Sequence, residues 1–294
     1  MKASYESVLI IYNPASTGGK AKTKAVRLTR QLKRHGIENV KLRSSDYPGH
    51  SEDLAYSESL SKKNPLIISV SGDGGYNGVI NGVLRAQLKN NDIRPTAAIL
   101  AAGNANDHQR SIAKRPLLWA ITHSAPEPVD VLKLRFSKTT RYAHSYIGIG
   151  ITAEASKELN EQVLTRWKDI KIITRNLLRF NYFTINANGQ IVDLDSLVFS
   201  NVRRMSKVIK IGEKTDLHNG LFSLVIMARQ PRLKFLYTLF KIILFGVKNP
   251  TQLSRYNFKL LKPQLAQLDG EPLAIPANVD IEVTIEPETL QTIR

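Results

Sequence analysis

The chain has 294 residues, a formal net charge of +17 at pH 7 and no cysteine. The lack of cysteine excludes disulfides, zinc–thiolate sites and cysteine nucleophiles, and it suits a reducing compartment such as the cytoplasm. The charge predicts an anionic partner, either a nucleic acid, an acidic lipid surface or a phosphorylated substrate, unless it only solvates the surface. No zinc-finger spacing or RNA-recognition signature accompanies it, so we expect no specific nucleic-acid partner.

Strands and helices alternate over the first half of the chain, which is the pattern of a parallel sheet with helices on both faces. The length of the chain favours two domains, of which this half is the first. The first apolar run, 8–11, is too short for a signal peptide or a spanning helix and predicts a strand instead. The predicted strands are 7–12, 39–43, 66–70 and 96–100, and the predicted helices lie between 19 and 35, near 51–63 and around 79–84.

The stretch at 66–84 carries the main functional clue. An apolar run is followed by Gly72, Gly74 and Gly75 and then by apolar residues at helical spacing, which predicts a strand, a tight turn and a helix. The amides and the dipole at such a helix start favour phosphate, although the same pattern also occurs where a helix merely packs closely on a sheet. The dinucleotide motif G-x-G-x-x-G does not fit, because its third glycine would fall on Asn77.

Asp73 lies inside this turn, where a negative charge is unusual. A carboxylate among phosphate-facing amides repels phosphate unless a cation or a proton transfer involves it. Two further polar turns, 13–19 and 101–107, also follow predicted strands. Ligands of such sheets bind beyond the carboxyl ends of the strands, so we expect the three turns to converge on one crevice.

From about residue 129 the pattern changes to short strands, which predicts a mainly antiparallel, β-rich half. Asn188-Gly189 between two of them is a strong signal for a two-residue hairpin turn. The predicted strands are 130–136, 142–150, 182–187, 191–202, 208–212, 221–228, 256–262 and 279–285, and helices are predicted near 152–180 and 231–246.

The second of these helices is apolar on nearly all sides over 235–245 but too short to span a bilayer. The default interpretation is a helix packed on the sheet. The alternative is docking into a membrane interface, because basic residues flank the helix. Trp167, which also lies among basic residues, allows the same two interpretations. The residues that flank the helix are Arg232, Lys234, Lys241 and Lys248.

Five segments, in order along the chain, resemble the diacylglycerol kinase catalytic family, which includes bacterial lipid kinases and the sphingosine and ceramide kinases. Each match alone is weak, whereas five in the same order are specific. Together they cover nearly the whole chain. The matching segments are 12–21 (N-P-x-S-G-x-G-K-A in the family), 71–82 (G-G-D-G-T-x-N-E-V-x-N-G), 103–107 (G-T-x-N-D), 129–130 (an aspartate that opens the second domain) and 268–272 (D-G-E-P).

The resemblance implies an α/β nucleotide-binding domain with a parallel sheet in three layers, at 1–128. It implies a mainly antiparallel, β-sandwich-like lipid-binding domain at 129–285, with the active site between the two. The last residues, 286–294, are expected to return to the first domain.

The resemblance also implies ATP and Mg²⁺ as cofactors and assigns roles to single residues. Glu271 is implied as the base that takes the proton of the lipid hydroxyl, with Asp130 and Asp73 assisting. Such a role makes chemical sense, because phosphoryl transfer needs positioning and a carboxylate near the attacking hydroxyl. The residues implied to surround ATP are Asn13, Pro14, Ala15, Ser16, Thr17, Ser45, Ser71, Gly72, Asp73, Gly74, Gly75, Tyr76, Asn77 and Asn104.

A structural magnesium loop of the family, D-G-x-L-D, corresponds to 219–223. Asn219 stands in place of its first aspartate, and an amide oxygen is a weaker ligand than a carboxylate for this hard cation. Asp216, three residues earlier, is expected to compensate. The candidate metal residues are therefore Asp216, Asn219 and Leu221.

The chain departs from the family pattern at five motif positions. Two hydroxyls that would bind phosphate and one acid are lost, so we expect an altered affinity for ATP. The side chain of Asn104 and the amide of Gly75 can still donate hydrogen bonds. The departures are Ser71 for glycine, Gly75 for threonine, Gly78 for glutamate, Ala101 for proline and Asn104 for threonine.

These features predict an ATP-dependent lipid kinase that is cytoplasmic and binds peripherally to an anionic membrane surface. Its substrate would be diacylglycerol, a sphingoid base or a related lipid. The alternative is a lipid or nucleotide sensor of the same fold that has lost turnover, as the replaced motif residues suggest. A kinase of a soluble substrate, such as NAD kinase, shares the G-G-D-G loop, but the N-P-x-S segment and the apolar helix argue against it. The sequence leaves the lipid and the oligomeric state open, a homodimer included.

Overall fold

A computed structural model describes residues 5–14, 16–103, 106–112, 115–150, 182–205, 209–212 and 216–294. Ala15, Asn104, Trp167 and the helix predicted near 152–180 lie outside the described residues, and of Thr17 only the backbone is described. The chain divides into two compact units. Unit 1 comprises Met1–Asp130 and Pro287–Arg294, and unit 2 comprises Val131–Glu286.

Unit 1 contains a parallel sheet with the strand order β2-β1-β3-β4. Its strands are β1 (Ser7–Tyr12), β2 (Val40–Ser44), β3 (Pro65–Ser71) and β4 (Thr96–Ala101). Every residue of β3 is buried, as expected for an unbroken apolar run covered on both faces. The last residues of β17 (Val279–Thr292) add a further parallel strand beside β4, where Gln291 pairs with Thr96 and Thr292 with Ala97.

The helices of unit 1 follow the strands in alternation. A short 3₁₀ turn, Ser16–Gly19, leads into the first of them. In that helix Ala21, Ala25, Leu28 and Leu32 are buried, at the spacing of one helix face, so this face packs on the sheet. The helices are α1 (Lys20–Arg34), α2 (His50–Ser61), α3 (Asp73–Lys89), α4 (Asp107–Ile112) and α5 (Leu117–His123).

Helices α2 and α3 approach closely because the two positions of α3 that face α2, Gly78 and Gly82, are glycine. A Cβ atom at Gly82 would lie 2.3 Å from the backbone oxygen of Glu52. A Cβ atom at Gly78 would lie 2.3 Å from the Ser51 Oγ. The glutamate that the family carries at position 78 would therefore meet α2, which explains this departure from the family pattern by packing.

Unit 2 is mainly antiparallel. Its strand pairs form a network around β9, which pairs with β7, β8 and β12. Asn188 and Gly189, with φ of 53° and 81°, form the predicted hairpin turn between β8 and β9. The strands are β5 (Glu127–Phe136, which begins in unit 1), β6 (Thr139–Ala143), β7 (Tyr146–Gly150), β8 (Phe183–Ala187), β9 (Gln190–Ser200), β10 (Arg204–Met205), β11 (Ile209–Lys210), β12 (Phe222–Ala228), β13 (Thr251–Leu253), β14 (Arg255–Leu260), β15 (Gln264–Leu268), β16 (Glu271–Ile275) and the first part of β17.

The predicted fold class, an α/β half followed by an antiparallel β-rich half, is confirmed. The strand predicted at 142–150 is two strands, because the chain breaks at His144 and Ser145, whose amides bond to a side chain instead of a neighbouring strand. The hairpin of β15 and β16 was not predicted. One further helix, α6 (Arg232–Phe245), follows β12. Among the residues that the structure describes, no helix is both long and apolar enough to cross a membrane.

Candidate functional site

Asp73 opens α3, but its carboxylate bonds to the start of another helix. Its Oδ2 accepts a hydrogen bond from the backbone N–H of Asp107 at 3.0 Å, and its Oδ1 accepts one from His108 at 3.2 Å. The side chain is buried. A negative charge at a helix N-terminus is favourable, which explains how the turn tolerates an acid. These contacts give Asp73 a positioning role, and its assistance to catalysis stays a prediction.

The turns after β3 and β4 touch through their glycines. A Cβ atom at Gly103 would lie 2.3 Å from the Cα of Gly72, and the backbone N–H of Ala102 donates to the Ser71 oxygen at 2.8 Å. Asn106, at a φ of 54°, closes the second turn by accepting from the Gly103 N–H at 3.0 Å and donating to its oxygen at 2.8 Å. The two turns are therefore held tightly against each other. The sequence did not single out Asn106 as the residue that closes the second turn.

The turns after β1 and β2 lie at the same edge of the sheet. The N–H of Ser45 donates to the Tyr12 oxygen at 2.9 Å, and the N–H of Asn13 points to the Val70 oxygen at 3.4 Å. On the neighbouring helix, Lys24 donates to the Ala101 oxygen at 2.7 Å. The structure thus brings residues 13, 45, 71–73 and 102–103 to one edge of unit 1, together with the N-terminus of α3.

Tyr76 and Asn77, which are predicted to surround ATP, have buried side chains like Asp73. Tyr76 lies in the interior, with its hydroxyl 3.5 Å from that of Thr292 and its ring 5.2 Å from the ring of His108. The Oδ1 of Asn77 accepts from the Nδ2 of Asn81 at 3.0 Å, within α3. Since the Tyr76 side chain is fully buried, a contact of this residue with ATP would have to use its backbone.

Two departures from the family pattern, Ser71 and Gly75, compensate each other in space. A Cβ atom at Gly75 would lie 2.5 Å from the Oγ and 2.7 Å from the Cβ of Ser71. The Ser71 hydroxyl in turn lies 2.7 Å from that of Ser69 and donates to the Gly72 oxygen at 2.9 Å. Serine at 71 therefore requires glycine at 75, and the threonine of the family fits only where position 71 is glycine.

We expect Gly75→Thr to destabilise the protein by about 1–3 kcal/mol, because it overpacks a buried contact. The double variant Ser71→Gly/Gly75→Thr should recover most of this loss. Urea unfolding of the two single variants and the double variant measures the coupling between the positions. Equal stability of Gly75→Thr and the double variant would show that Ser71 does not set the residue at 75.

Asp130, predicted to assist catalysis, is buried, and it is the last residue of the N-terminal part of unit 1. Its Oδ1 accepts a hydrogen bond from the backbone N–H of Glu288 at 2.9 Å. Glu288 has a φ of 49°, a conformation that a non-glycine residue adopts only when its surroundings hold it. Asp130 therefore helps to hold the C-terminal segment in unit 1.

In unit 2, Asp269 is a buried centre of hydrogen bonds that the sequence did not single out. Its carboxylate accepts from the backbone N–H groups of His144 at 2.8 Å, Ser145 at 2.9 Å and Tyr146 at 3.0 Å. The His144 Nε2 lies 3.2 Å from its Oδ2. Asp269 and Gly270 have positive φ and form the hairpin turn between β15 and β16, so an Asp-Gly pair was the available signal.

Glu271, the predicted base, follows this turn as the first residue of β16. Its side chain is exposed in part, yet the surrounding protein still desolvates the carboxylate. This desolvation, followed by the negative charge of Asp269, raises the pKa of Glu271 above its ordinary value. The buried Asp269 thus fixes the backbone next to Glu271 and also makes its carboxylate a stronger base.

The loop predicted to hold a structural magnesium ion forms a local turn. The Oδ1 of Asn219 accepts a hydrogen bond from the Leu221 N–H at 3.0 Å, as in a local turn, and Asp216 is exposed. Across the described ranges, no group of three or more His, Cys, Asp or Glu side chains could hold a metal ion. The magnesium site at this loop stays a prediction.

An open cleft of about 610 Å³ lies in unit 2. Its walls come from β5, β8, β14 and β17 and carry both cations and anions, such as Arg135, Lys259 and Glu282. Neither Glu271 nor Asp269 lines it. A mixed-charge surface is not what an acyl chain requires, so we do not assign the lipid to this cleft.

Comparison with known proteins identifies the class of the chain. The family model of the diacylglycerol kinase catalytic domain matches residues 7–134. A curated relative, diacylglycerol kinase of Bacillus subtilis (strain 168), is 23% identical over 239 residues, which cover 77% of this chain and 75% of the relative. The solved structure of a diacylglycerol kinase of Bacillus anthracis str. Sterne has a TM-score of 0.72 at 16% identity, with 100% of this chain and 98% of that chain covered. Another structure from that strain has a TM-score of 0.73 at 18% identity, covering 99% and 98%.

The resemblance to the diacylglycerol kinase catalytic family that the motifs predicted is confirmed over residues 7–134, which the family model matches, and the curated relative carries the same family name. At identities of 16% and 18%, the solved structures show the fold alone, and they show it over nearly the whole chain. The match to this family supports a lipid kinase as the class of enzyme.

Proposed function

We propose that the protein is an ATP-dependent lipid kinase that transfers the γ-phosphoryl group of ATP to a hydroxyl group of diacylglycerol, a sphingoid base or a related lipid. The observation that carries the proposal is the pair of glycine turns after β3 and β4, held together in the domain that matches the family. The relatives are called diacylglycerol kinases, which favours a lipid with a free hydroxyl as the acceptor.

The phosphates of ATP would be bound by unit 1. Helix α3 begins at Asp73 after Gly72, which has no side chain to cap the helix, and the amides and dipole of such a helix start favour phosphate. Asp73 directs its carboxylate to the backbone amides of α4, which lowers the repulsion that an acid at this position would otherwise cause. Asn13, Ser16 and Ser45, at the ends of β1 and β2, are the proposed polar contacts on the side of these strands.

The lipid hydroxyl would be activated by unit 2. The oxygen of the lipid hydroxyl forms a bond to the γ-phosphorus of ATP. The bond from that phosphorus to the oxygen that bridges it to the β-phosphate breaks, and ADP leaves. Glu271 takes the proton of the hydroxyl, and its raised pKa makes it a better proton acceptor than an ordinary glutamate. Magnesium enters with ATP as part of the substrate, since phosphoryl transfer depends on charge neutralisation at the phosphates.

Transfer of labelled phosphate tests the proposal. The protein is incubated with γ-labelled ATP and magnesium and with one of three acceptors: mixed lipid vesicles, NAD or none. We expect label in the lipid fraction with the vesicles and none in NAD. Label in NAD without vesicles would instead show a kinase of a soluble substrate.

The loss of activity at low pH should reflect the pKa of Glu271. A base acts only when it is deprotonated, so a raised pKa moves the acid loss of activity to higher pH. We expect kcat/KM for the lipid to fall, as the pH is lowered, at a pH above the ordinary glutamate value of 4.5. A pH profile at constant ionic strength measures this, and an acid limb at or below 4.5 would speak against Glu271 as the base.

The second candidate is a lipid or nucleotide sensor that has lost turnover. The engagement of both Asp73 oxygens with α4 and the replacements at Ala101 and Asn104 favour it. Calorimetry with ATP separates the two candidates. Saturable binding of ATP without any transfer of label would favour the sensor, whereas binding with transfer favours the kinase.

A further inference from the structure

Helix α6 presents an apolar face to solvent. Leu233, Tyr237, Phe240 and Leu244 recur at the spacing of one helix face, and all four are exposed, Leu233 to 83% and Phe240 to 59%. Phe245 follows at the C-terminal end with 68% exposure. Single exposed apolar residues are ordinary, but a contiguous set of large ones marks a surface that is covered in use. We call these five residues the exposed α6 face.

The helix is fixed to unit 2 by other residues, so the exposed α6 face is not its packing side. Phe235 is buried, and the preceding Gln230 N–H donates to the Asp195 Oδ2 at 3.1 Å. At the other end the Val247 N–H donates to the Lys210 oxygen at 2.7 Å. A helix tied at both ends keeps its outer face in a constant orientation.

The charged residues of α6 and of the chain segments that flank it are all positive. Lys234 and Lys241 lie seven residues apart and therefore border the same side of the face, and the Lys241 Nζ stands 4.6 Å from the centre of the Tyr237 ring. Arg232 and Lys248 lie at the two ends. Between residues 217 and 268 the sequence has eight lysines and arginines and no aspartate or glutamate.

We propose that the exposed α6 face docks on an anionic lipid bilayer, with its apolar side chains in the headgroup and acyl boundary and its lysines at the lipid phosphates. Apolar anchors beside basic residues are the pattern of an interfacial helix, and long lysine side chains can reach the headgroups while their stems stay apolar. The proposal rests on the proposed function only in that a lipid kinase meets its substrate at such a surface. Docking itself requires no catalysis.

A second copy of the chain fits this face less well. In a two-fold interface the same patch meets itself, so the lysines beside the apolar face would approach each other without an acid to pair with. An anionic bilayer supplies the missing negative charge. The charge of the face therefore selects the lipid surface over self-association.

Vesicle sedimentation at several salt concentrations tests the docking. Wild-type protein should bind vesicles of phosphatidylcholine with phosphatidylglycerol and bind far less to phosphatidylcholine alone. Leu233→Ser/Phe240→Ser should lower binding to the anionic vesicles by roughly tenfold or more, since buried methylenes dominate such anchoring. Lys234→Gln/Lys241→Gln should lower it by about fivefold per lysine at low salt and by less at high salt. Ile191→Ser, which removes a 70% exposed side chain of β9, is the matched control and should bind like the wild type.

Equal binding of all variants and the wild type to anionic vesicles would overturn the proposal. So would a wild-type dimer that Leu233→Ser/Phe240→Ser converts to a monomer while vesicle binding is unchanged, since the face would then serve self-association. Lipid phosphorylation is measured separately, with a short-chain diacylglycerol that is soluble as monomers. The apolar double variant should keep that activity, and docking without any phosphorylation would count against the proposed function alone.

Discussion

Glu271→Gln is expected to lower kcat for lipid phosphorylation by about 10²–10⁴-fold, the usual contribution of a positioned general base. Glutamine has nearly the same shape, but its amide cannot take the hydroxyl proton. Because ATP is assigned to unit 1, its affinity should stay close to that of the wild type. Steady-state kinetics with lipid vesicles measures kcat, and calorimetry measures the binding of ATP.

Glu38→Gln is the matched control for this variant. It removes an exposed carboxylate of unit 1 and should leave kcat unchanged. Circular dichroism and thermal unfolding establish that Glu271→Gln is folded. A folded Glu271→Gln enzyme with wild-type kcat would remove Glu271 from the mechanism.

Asp269→Ala is expected to destabilise the protein by about 3–5 kcal/mol, which is the usual cost of removing one partner from a buried charged network. The substitution leaves the amides of His144, Ser145 and Tyr146 buried without their acceptor. Urea unfolding, followed by circular dichroism, measures the loss. Asp280→Asn, an exposed acid of the same unit, should change stability by less than about 0.5 kcal/mol.

The isosteric variant Asp269→Asn separates structure from electrostatics. It keeps much of the shape and removes the charge that helps to raise the pKa of Glu271. If this variant is folded, its acid limb of kcat/KM should move to lower pH than that of the wild type. Stability and pH profile both equal to the wild type would contradict the role given to Asp269.

The sequence predicted the fold because its signals are local. The buried run of β3 and the apolar face of α1 each depend on neighbours in the chain, and both are found as expected. The turn predicted over the glycines after β3 is shorter than expected, because α3 begins at Asp73 and includes Gly74 and Gly75. The order of the motifs then sufficed for the family. The break of the 142–150 strand was missed because its cause, Asp269, lies more than a hundred residues away.

The roles of single site residues depend on contacts that no local pattern contains. Asp73 was an unexplained acid in a phosphate turn until α4 was seen to bind it. The exchange at Ser71 and Gly75 suggested a loss of function, whereas its geometry is a compensated packing change. Asn219 was predicted from the sequence as a weak metal ligand. In the structure its Oδ1 accepts a hydrogen bond from the Leu221 N–H and so stabilises a local turn.

The product of the proposed activity is a lipid that carries the γ-phosphate of ATP. The most direct measurement incubates the protein with a total lipid extract, magnesium and ATP carrying an isotopic label in its γ-phosphate, and analyses the lipids by mass spectrometry. We predict at least one hydroxyl-bearing lipid that gains a labelled phosphate with wild-type protein and not with Glu271→Gln. No lipid with labelled phosphate, under conditions in which the protein is folded and binds ATP, would contradict the account.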